Sequence, residues 1–193
     1  LDAYNRLVTV HDFHYCWTQP EKVDFISIQT WNTPLYSQMK EIRERYPKQP
    51  IFNIEHGGYE KSPYVVFPGD YIDPINCLER NYDIIFAGCY STYYWQGTSW
   101  NVLIWDPMNL PKNQQPRFDY YKNIRTLFDR YDFSKLEPKR ARQSSGLCLT
   151  DDKDIYMYYL AANSYATHIS PPKHHDGPMT ITWFNPLTGE FKE

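Results

Sequence analysis

Short apolar runs alternate with amphipathic stretches up to about Tyr131, and this alternation limits the fold more than any other feature of the chain. Leu7-Val8-Thr9-Val10-His11 reads as a buried strand ending in a polar residue, and residues 24–31 read as a second. Leu35, Met39, Ile42 and Tyr46 then recur at helical spacing, with Glu41 and Arg45 as an i,i+4 pair on the exposed side. Pro47 and Pro50 stop that helix, and Ile51-Phe52-Asn53-Ile54-Glu55 follows as a strand. Asp73-Pro74 opens another helix, with a side-chain cap and then proline at the first helical position. Ile75, Leu78, Tyr82, Ile85 and Phe86 fall on one face of it, and Gly88 can end it. Residues 89–95 read as a short strand, and residues 118–131 as a last helix. The order β, β-α, β-α, β-α implies a parallel sheet, because parallel neighbours need helical crossovers between them.

The pattern changes after Leu136-Glu137-Pro138. Residues 146–150, 154–160 and 179–184 read as strands, and no helical period appears among them. Asp151-Asp152-Lys153 and Asn185-Pro186-Leu187-Thr188-Gly189 are turn chemistry. The chain therefore divides into an α/β part, residues 1–136, and a small antiparallel β part, residues 137–193. Between the last two elements of the first part, residues 96–117 make a loop too long for a mere connector, and it carries Trp100 and Trp105.

Charge excludes more than it identifies. The 20 basic and 23 acidic residues leave a net charge of −3, with no basic stripe of the kind that binds nucleic acid. No apolar run approaches the roughly 18 residues of a membrane span. The four cysteines are widely spaced and form no CxxC pair, which argues against a zinc ribbon or a thioredoxin-like site; nothing requires a disulfide. Aromatics make up 18 % of the chain, with 18 Tyr and 6 Trp. Such side chains offer a flat apolar face and a polar handle, which suits sugar rings, but they serve equally in a Tyr-rich core and surface.

Within this frame, Glu55 stands out. It ends a short β-prone run, and His56-Gly57-Gly58 releases the chain into a turn. In folds with parallel strands, catalytic groups sit where the strands end.

These segments resemble one half of a (β/α)8 barrel glycoside hydrolase, and the resemblance is to the apiosidase-like bacterial family, collagenase-associated glycoside hydrolases whose barrel is followed by a small β-sandwich. The residues that carry it are Val8-Thr9-Val10-His11, Asp24-Phe25 with Ile28-Gln29-Thr30-Trp31, Pro50-Ile51 through Glu55, and Tyr59-Glu60. Ala87-Gly88 with Tyr93-Tyr94-Trp95, and Ile104-Trp105, continue it. The sandwich shows as Ser145-Gly146, Tyr158-Tyr159-Leu160 and Asn185 through Gly189. The family often has proline after the strand-end glutamate, where this chain has His56. A full barrel takes about 250 residues, so four β/α units fit the span to about Leu136. The resemblance implies strands five to eight of a barrel plus the start of the sandwich, with the N-terminal half of the barrel outside these residues. It also implies a secreted or periplasmic protein with a carbohydrate substrate and no cofactor.

Retaining glycosidases use two carboxyl groups, one attacking the anomeric carbon and one serving as acid and then base. The resemblance places the nucleophile at the end of strand seven, matched by Glu55, and the acid/base at the end of strand four, which has no counterpart here. His11, Gln29 and Trp31 would end neighbouring strands on the same rim, with His11 and Gln29 bonding sugar hydroxyls or orienting Glu55 and Trp31 forming a platform. Tyr59 and Glu60 belong to the same pattern; Glu60 would bind substrate, brace its loop or compete as nucleophile. Tyr94 and Trp95 would flank the pocket or pack the barrel rim. A carbohydrate-binding or adhesive protein that kept the barrel and lost catalysis is the alternative reading.

Other chemistries find less support. His11 and His14 would point to opposite faces of a strand, so a metal site there needs a turn between them. His174-His175 falls in a proline-rich loop and reads as solvated. Ser144-Ser145-Gly146 is no nucleophile elbow, and the chain holds neither G-x-G-x-x-G nor a phosphate loop.

Overall fold

A computed structural model of the chain describes residues 4, 6–11, 13–31, 33–56, 59–61, 71–93, 95–96, 105–139, 143–162, 164, 167–169 and 177–193. The chain divides into two compact units: Leu1–Lys61 with Pro68–Gln96, and Ser62–Phe67 with Gly97–Glu193. The division near residue 97 leaves the sequence boundary at Leu136 inside the second unit.

The first unit runs α1 (Phe13–Thr18), β1 (Ile26–Gln29), α2 (Leu35–Arg45), β2 (Ile51–Glu55), β3 (Tyr59–Lys61), β4 (Tyr71–Ile72), α3 (Pro74–Phe86), β5 (Tyr90–Ser91) and β6 (Trp95–Gln96). The sheet order β1-β2-β5 is parallel at both pairings, as the β-α alternation requires. A second, separate parallel sheet has the order β4-β3-β6, with β3 following β2 and β6 following β5 in the sequence, each after three residues.

Alternation along the strands assigns their faces. Ile26, Ile28 and Ile51 are buried in one core with Leu35, Met39 and Ile42 of α2, and with Ile84 and Ala87 from the α3 end. Thr30 Oγ1 meets Gln38 of α2 at 2.9 Å, and Ser91 Oγ donates to Asn81 Oδ1 of α3 at 2.7 Å. The opposite face carries Phe25, Ser27, Gln29 and Trp31 from the β1 line, Phe52 from β2 and Tyr90 from β5, with Phe25 edge-on to Phe52 at 6.2 Å.

The helix signals were well marked. Asp73 caps α3, its carboxylate accepting the amides of Ile75 at 2.9 Å and Asn76 at 3.1 Å, and Gly88 leaves that helix with φ of 75°. Some strand expectations change: residues 89–95, expected as one strand, give β5 and β6 in two sheets. The strand expected at residues 7–11 joins no ladder among the described residues. Val8 instead exchanges bonds with Asp24, its N–H to the carboxylate at 2.6 Å and its carbonyl to the Asp24 amide at 2.8 Å, while Thr9 Oγ1 donates to the Phe25 carbonyl. Side chains thus satisfy groups that a ladder would have paired. The segment still runs parallel to β1, and α1 follows it.

In the second unit, α4 (Phe118–Arg130) precedes β7 (Glu137–Pro138), β8 (Leu147–Thr150), β9 (Tyr156–Tyr159), β10 (Trp183–Phe184) and β11 (Phe191–Lys192). The sheet β7-β8-β9 is antiparallel, and β10 and β11 form an antiparallel hairpin. Asp151 Oδ1 accepts the amides of Lys153, Asp154 and Ile155, which closes the turn between β8 and β9. Of the strand expected at residues 179–184, only β10 pairs among the described residues, and Met179, Ile181 and Trp183 are exposed.

The hairpin turn docks on α4. Asn123 Nδ2 donates to the Pro186 carbonyl at 3.1 Å, and Arg130 lies over the Phe191 ring at 4.6 Å. Gly189 sits at φ of 76°, and a β-carbon there would come within 2.5 Å of Asn123 Oδ1. A side chain at this position would strain the backbone and push the Asn123 side chain aside, with its bond to Pro186.

Cys16, Cys77, Cys89 and Cys148 are all free and buried. Burial pushes the Cys89 thiol up to about 12, so it is no nucleophile at neutral pH. The native chain is expected to release no colour from Ellman's reagent, and all four thiols to react in denaturant. A rapidly reacting thiol in the native protein would contradict this packing.

Candidate functional site at the strand ends

Glu55 is the last residue of β2, half-buried, at the C-terminal end of the parallel sheet. Simple alternation would send it towards the helices with Ile51 and Asn53. An irregularity prevents this. Ile28 pairs with Asn53, but the next residue of β1, Gln29, pairs with Glu55, so Ile54 is an extra residue in β2. A bulge of this kind re-aims the side chains that follow it. Residues directly opposite on neighbouring strands share a face, so Glu55 joins Gln29 on the face away from the helices. His56 then returns to the helical side, where it is fully buried.

Asn53 holds the bulge from beneath. It is 0 % exposed. Its Nδ2 donates to the Thr30 carbonyl at 3.2 Å, and its Oδ1 accepts the Glu55 amide at 3.3 Å. One side chain thereby ties the end of β1 to the backbone of the candidate carboxylate.

His56 makes the next tie, across to β5. Its Nε2 lies 3.0 Å from the Thr92 carbonyl. A carbonyl only accepts, so this nitrogen carries the proton. Thr92 Oγ1 donates in return to the Ile54 carbonyl at 2.9 Å. Burial holds the imidazole below its ordinary value, and the Arg80 charge adds to the effect. His56 is therefore the neutral imidazole at pH 7.

Arg80 of α3 completes the group. Its Nε donates to the His56 carbonyl at 3.0 Å, and its Nη2 donates to that carbonyl and to the Trp31 carbonyl at 3.2 Å. Burial lowers its pKa, and Asp83 one turn along α3 opposes that shift. Asp83 itself is pushed up to about 6, burial outweighing the pull of Arg80.

Gln29 and Glu55 are register partners, and Trp31, 51 % exposed, lies two residues beyond Gln29 on the same face. His11 is exposed and follows the segment beside β1, in the direction of the same strand ends. Glu60 and Trp95 are paired in the second sheet, and Tyr59 is paired there with Tyr71. Tyr94 lies outside the described residues. His14 sits exposed in α1 rather than on a strand.

Sequence reasoning missed Asn53, Arg80 and Thr92. Asn53 left a faint signal, a polar residue at an inward position of an apolar strand; Arg80 and Thr92 left none. Among the described residues no three His, Cys, Asp or Glu side chains gather as a metal site, and no helix is long and apolar enough to cross a membrane. Comparison of the chain with known protein families, curated proteins and solved structures found no match.

Proposed function

We propose that the chain is part of a retaining glycoside hydrolase acting on polysaccharide or glycan side chains, with Glu55 as nucleophile. The observation that carries this reading is the placement of Glu55. It is a carboxylate at the C-terminal end of a parallel strand, on the face away from the helices, in register with Gln29, and the exposed Trp31 lies two residues beyond Gln29. A parallel sheet with helices on one face is also what a sector of a (β/α)8 barrel consists of, and barrel enzymes keep their chemistry at that end of the strands. Gln29 would bond a sugar hydroxyl beside the anomeric carbon, and Trp31 would stack on a ring. The acid/base carboxylate, and with it the rest of the barrel, is proposed to come from outside Leu1–Glu193.

Covalent labelling tests the nucleophile independently of the acid. A 2,4-dinitrophenyl 2-deoxy-2-fluoro glycoside carries a leaving group that departs without protonation, and its fluorine slows turnover of the glycosyl-enzyme. A panel of such sugars is expected to add one glycosyl group to the full-length enzyme, mapped by peptide mass spectrometry to Glu55. An adduct on Glu60 would move the role there. Sugar binding without an adduct would favour the carbohydrate-binding alternative.

A further inference from the structure

Arg80 lies in the middle of α3, yet its guanidinium reaches past the helix to the ends of two strands. The carbonyls it meets, those of Trp31 and His56, stand just beyond β1 and β2, where the ladder has ended and backbone oxygens need other donors. The His56 carbonyl takes two of its N–H groups. His56 then reaches Thr92 beyond β5, so three strand ends are linked in one line through one arginine and one imidazole. Glu55 stands between two of these fixings. Its own amide is held by Asn53, and the carbonyl of the next residue is held by Arg80.

We propose that Arg80 is a positioning residue for Glu55: its planar fork fixes the ends of β1 and β2 against each other, so that the carboxylate keeps a set distance from a sugar bound beside Gln29 and Trp31. The chemical half of this inference rests on the glycosidase reading above; the clamp rests on the hydrogen bonds alone. A lysine keeps the charge but offers no rigid fork, so it cannot bond both carbonyls in the same way. Displacement of a reacting group by about 1 Å can cost on the order of 100-fold in rate. Loosening the clamp should therefore act on turnover more than on binding.

The test uses the full-length protein that contains this chain, with Arg80→Lys and Arg80→Met, read in two ways. Amide hydrogen exchange is followed at Glu55 and His56, with Ile28 inside β1 as the internal reference. In parallel, the rate of fluoro-glycoside labelling is measured, and kcat and KM on 4-nitrophenyl glycosides wherever the wild type turns over. Both variants are expected to exchange faster at Glu55 and His56 while Ile28 keeps its protection. Labelling and kcat should fall by about 100-fold with KM nearly unchanged. Unchanged exchange at Glu55 and His56 would overturn the proposal, and so would full wild-type behaviour of Arg80→Lys. Equal loss of protection at Ile28 would reduce Arg80 to a general structural role and overturn it too. If Arg80→Met does not fold, Arg80→Lys decides alone. If the full-length wild type, with its whole barrel, neither labels nor turns over, the glycosidase reading fails, and the exchange pattern still decides the clamp.

Discussion

Glu55→Gln in the full-length enzyme is expected to lower turnover by roughly 10,000-fold or more, the equivalent of about 5 kcal/mol of transition-state stabilisation. The substitution keeps the side chain's shape and removes the oxygen that attacks the anomeric carbon. No covalent intermediate then forms, and the slow route that remains is direct attack by water. The Glu55 tie to Asn53 runs through its backbone amide, so the substitution leaves that tie in place. A second variant separates nucleophile from acid/base. Glu55→Gly opens space for azide, which would attack from the vacated side and give a glycosyl azide of inverted configuration. An acid/base variant would give the retained configuration instead. Inverted azide product from a Glu60→Gly variant, with Glu55→Gly unaffected, would assign the nucleophile to Glu60 and sink the present reading.

The candidate site was partly legible because its carboxylate ends a strand, and strand ends are marked locally. A short β-prone run followed by Gly57-Gly58 identifies Glu55 without any knowledge of its neighbours. The helices α2, α3 and α4 were equally legible, since period, cap and stop signals agree. What the sequence does not display is the face. Period-two counting from Ile51 and Asn53 directs Glu55 towards the helices, and only the extra residue at Ile54 reverses this. No glycine or proline marks that bulge, so nothing local announces it.

His56 shows the same limit in another form. As a departure from the resembled pattern it signalled only a changed loop. Its burial, and its bond to Thr92, depend on a strand thirty-six positions away. Arg80 is harder still, because an arginine in a helix reads as solvated until the ends of β1 and β2 are brought beneath it. The first segment failed for a related reason. Residues 7–11 have the composition of a strand, but the Asp24 carboxylate takes the Val8 amide before a ladder can. Each of these features is decided by a contact distant in sequence, whereas helix periods and turns are decided within a few residues.

The largest stability effect at the site is expected from Asn53→Leu. Leucine keeps the branched skeleton with bulkier methyl ends and leaves no cavity against Met39, which lies 3.6 Å from the amide nitrogen. Hydrogen bonding is what changes. The buried Thr30 carbonyl loses its donor at 3.2 Å, and the half-buried Glu55 amide loses its acceptor at 3.3 Å. The stranded Thr30 carbonyl costs about 1–3 kcal/mol and the half-buried Glu55 amide less, so the variant should lose about 2–4 kcal/mol. For a chain of this size that lowers Tm by roughly 5–15 °C. Asn53→Asp provides the discriminating comparison. Its carboxylate can still accept the Glu55 amide but faces the Thr30 carbonyl without a proton, and burial disfavours its charge. Its folded-state pKa is therefore raised, and the destabilisation should be greatest at neutral pH and ease as pH falls towards the ordinary aspartate range. Thermal unfolding of the two variants against pH checks both statements. Wild-type stability in Asn53→Leu would mean that this amide does not hold the strand end, and the account of how β2 presents Glu55 would need another support.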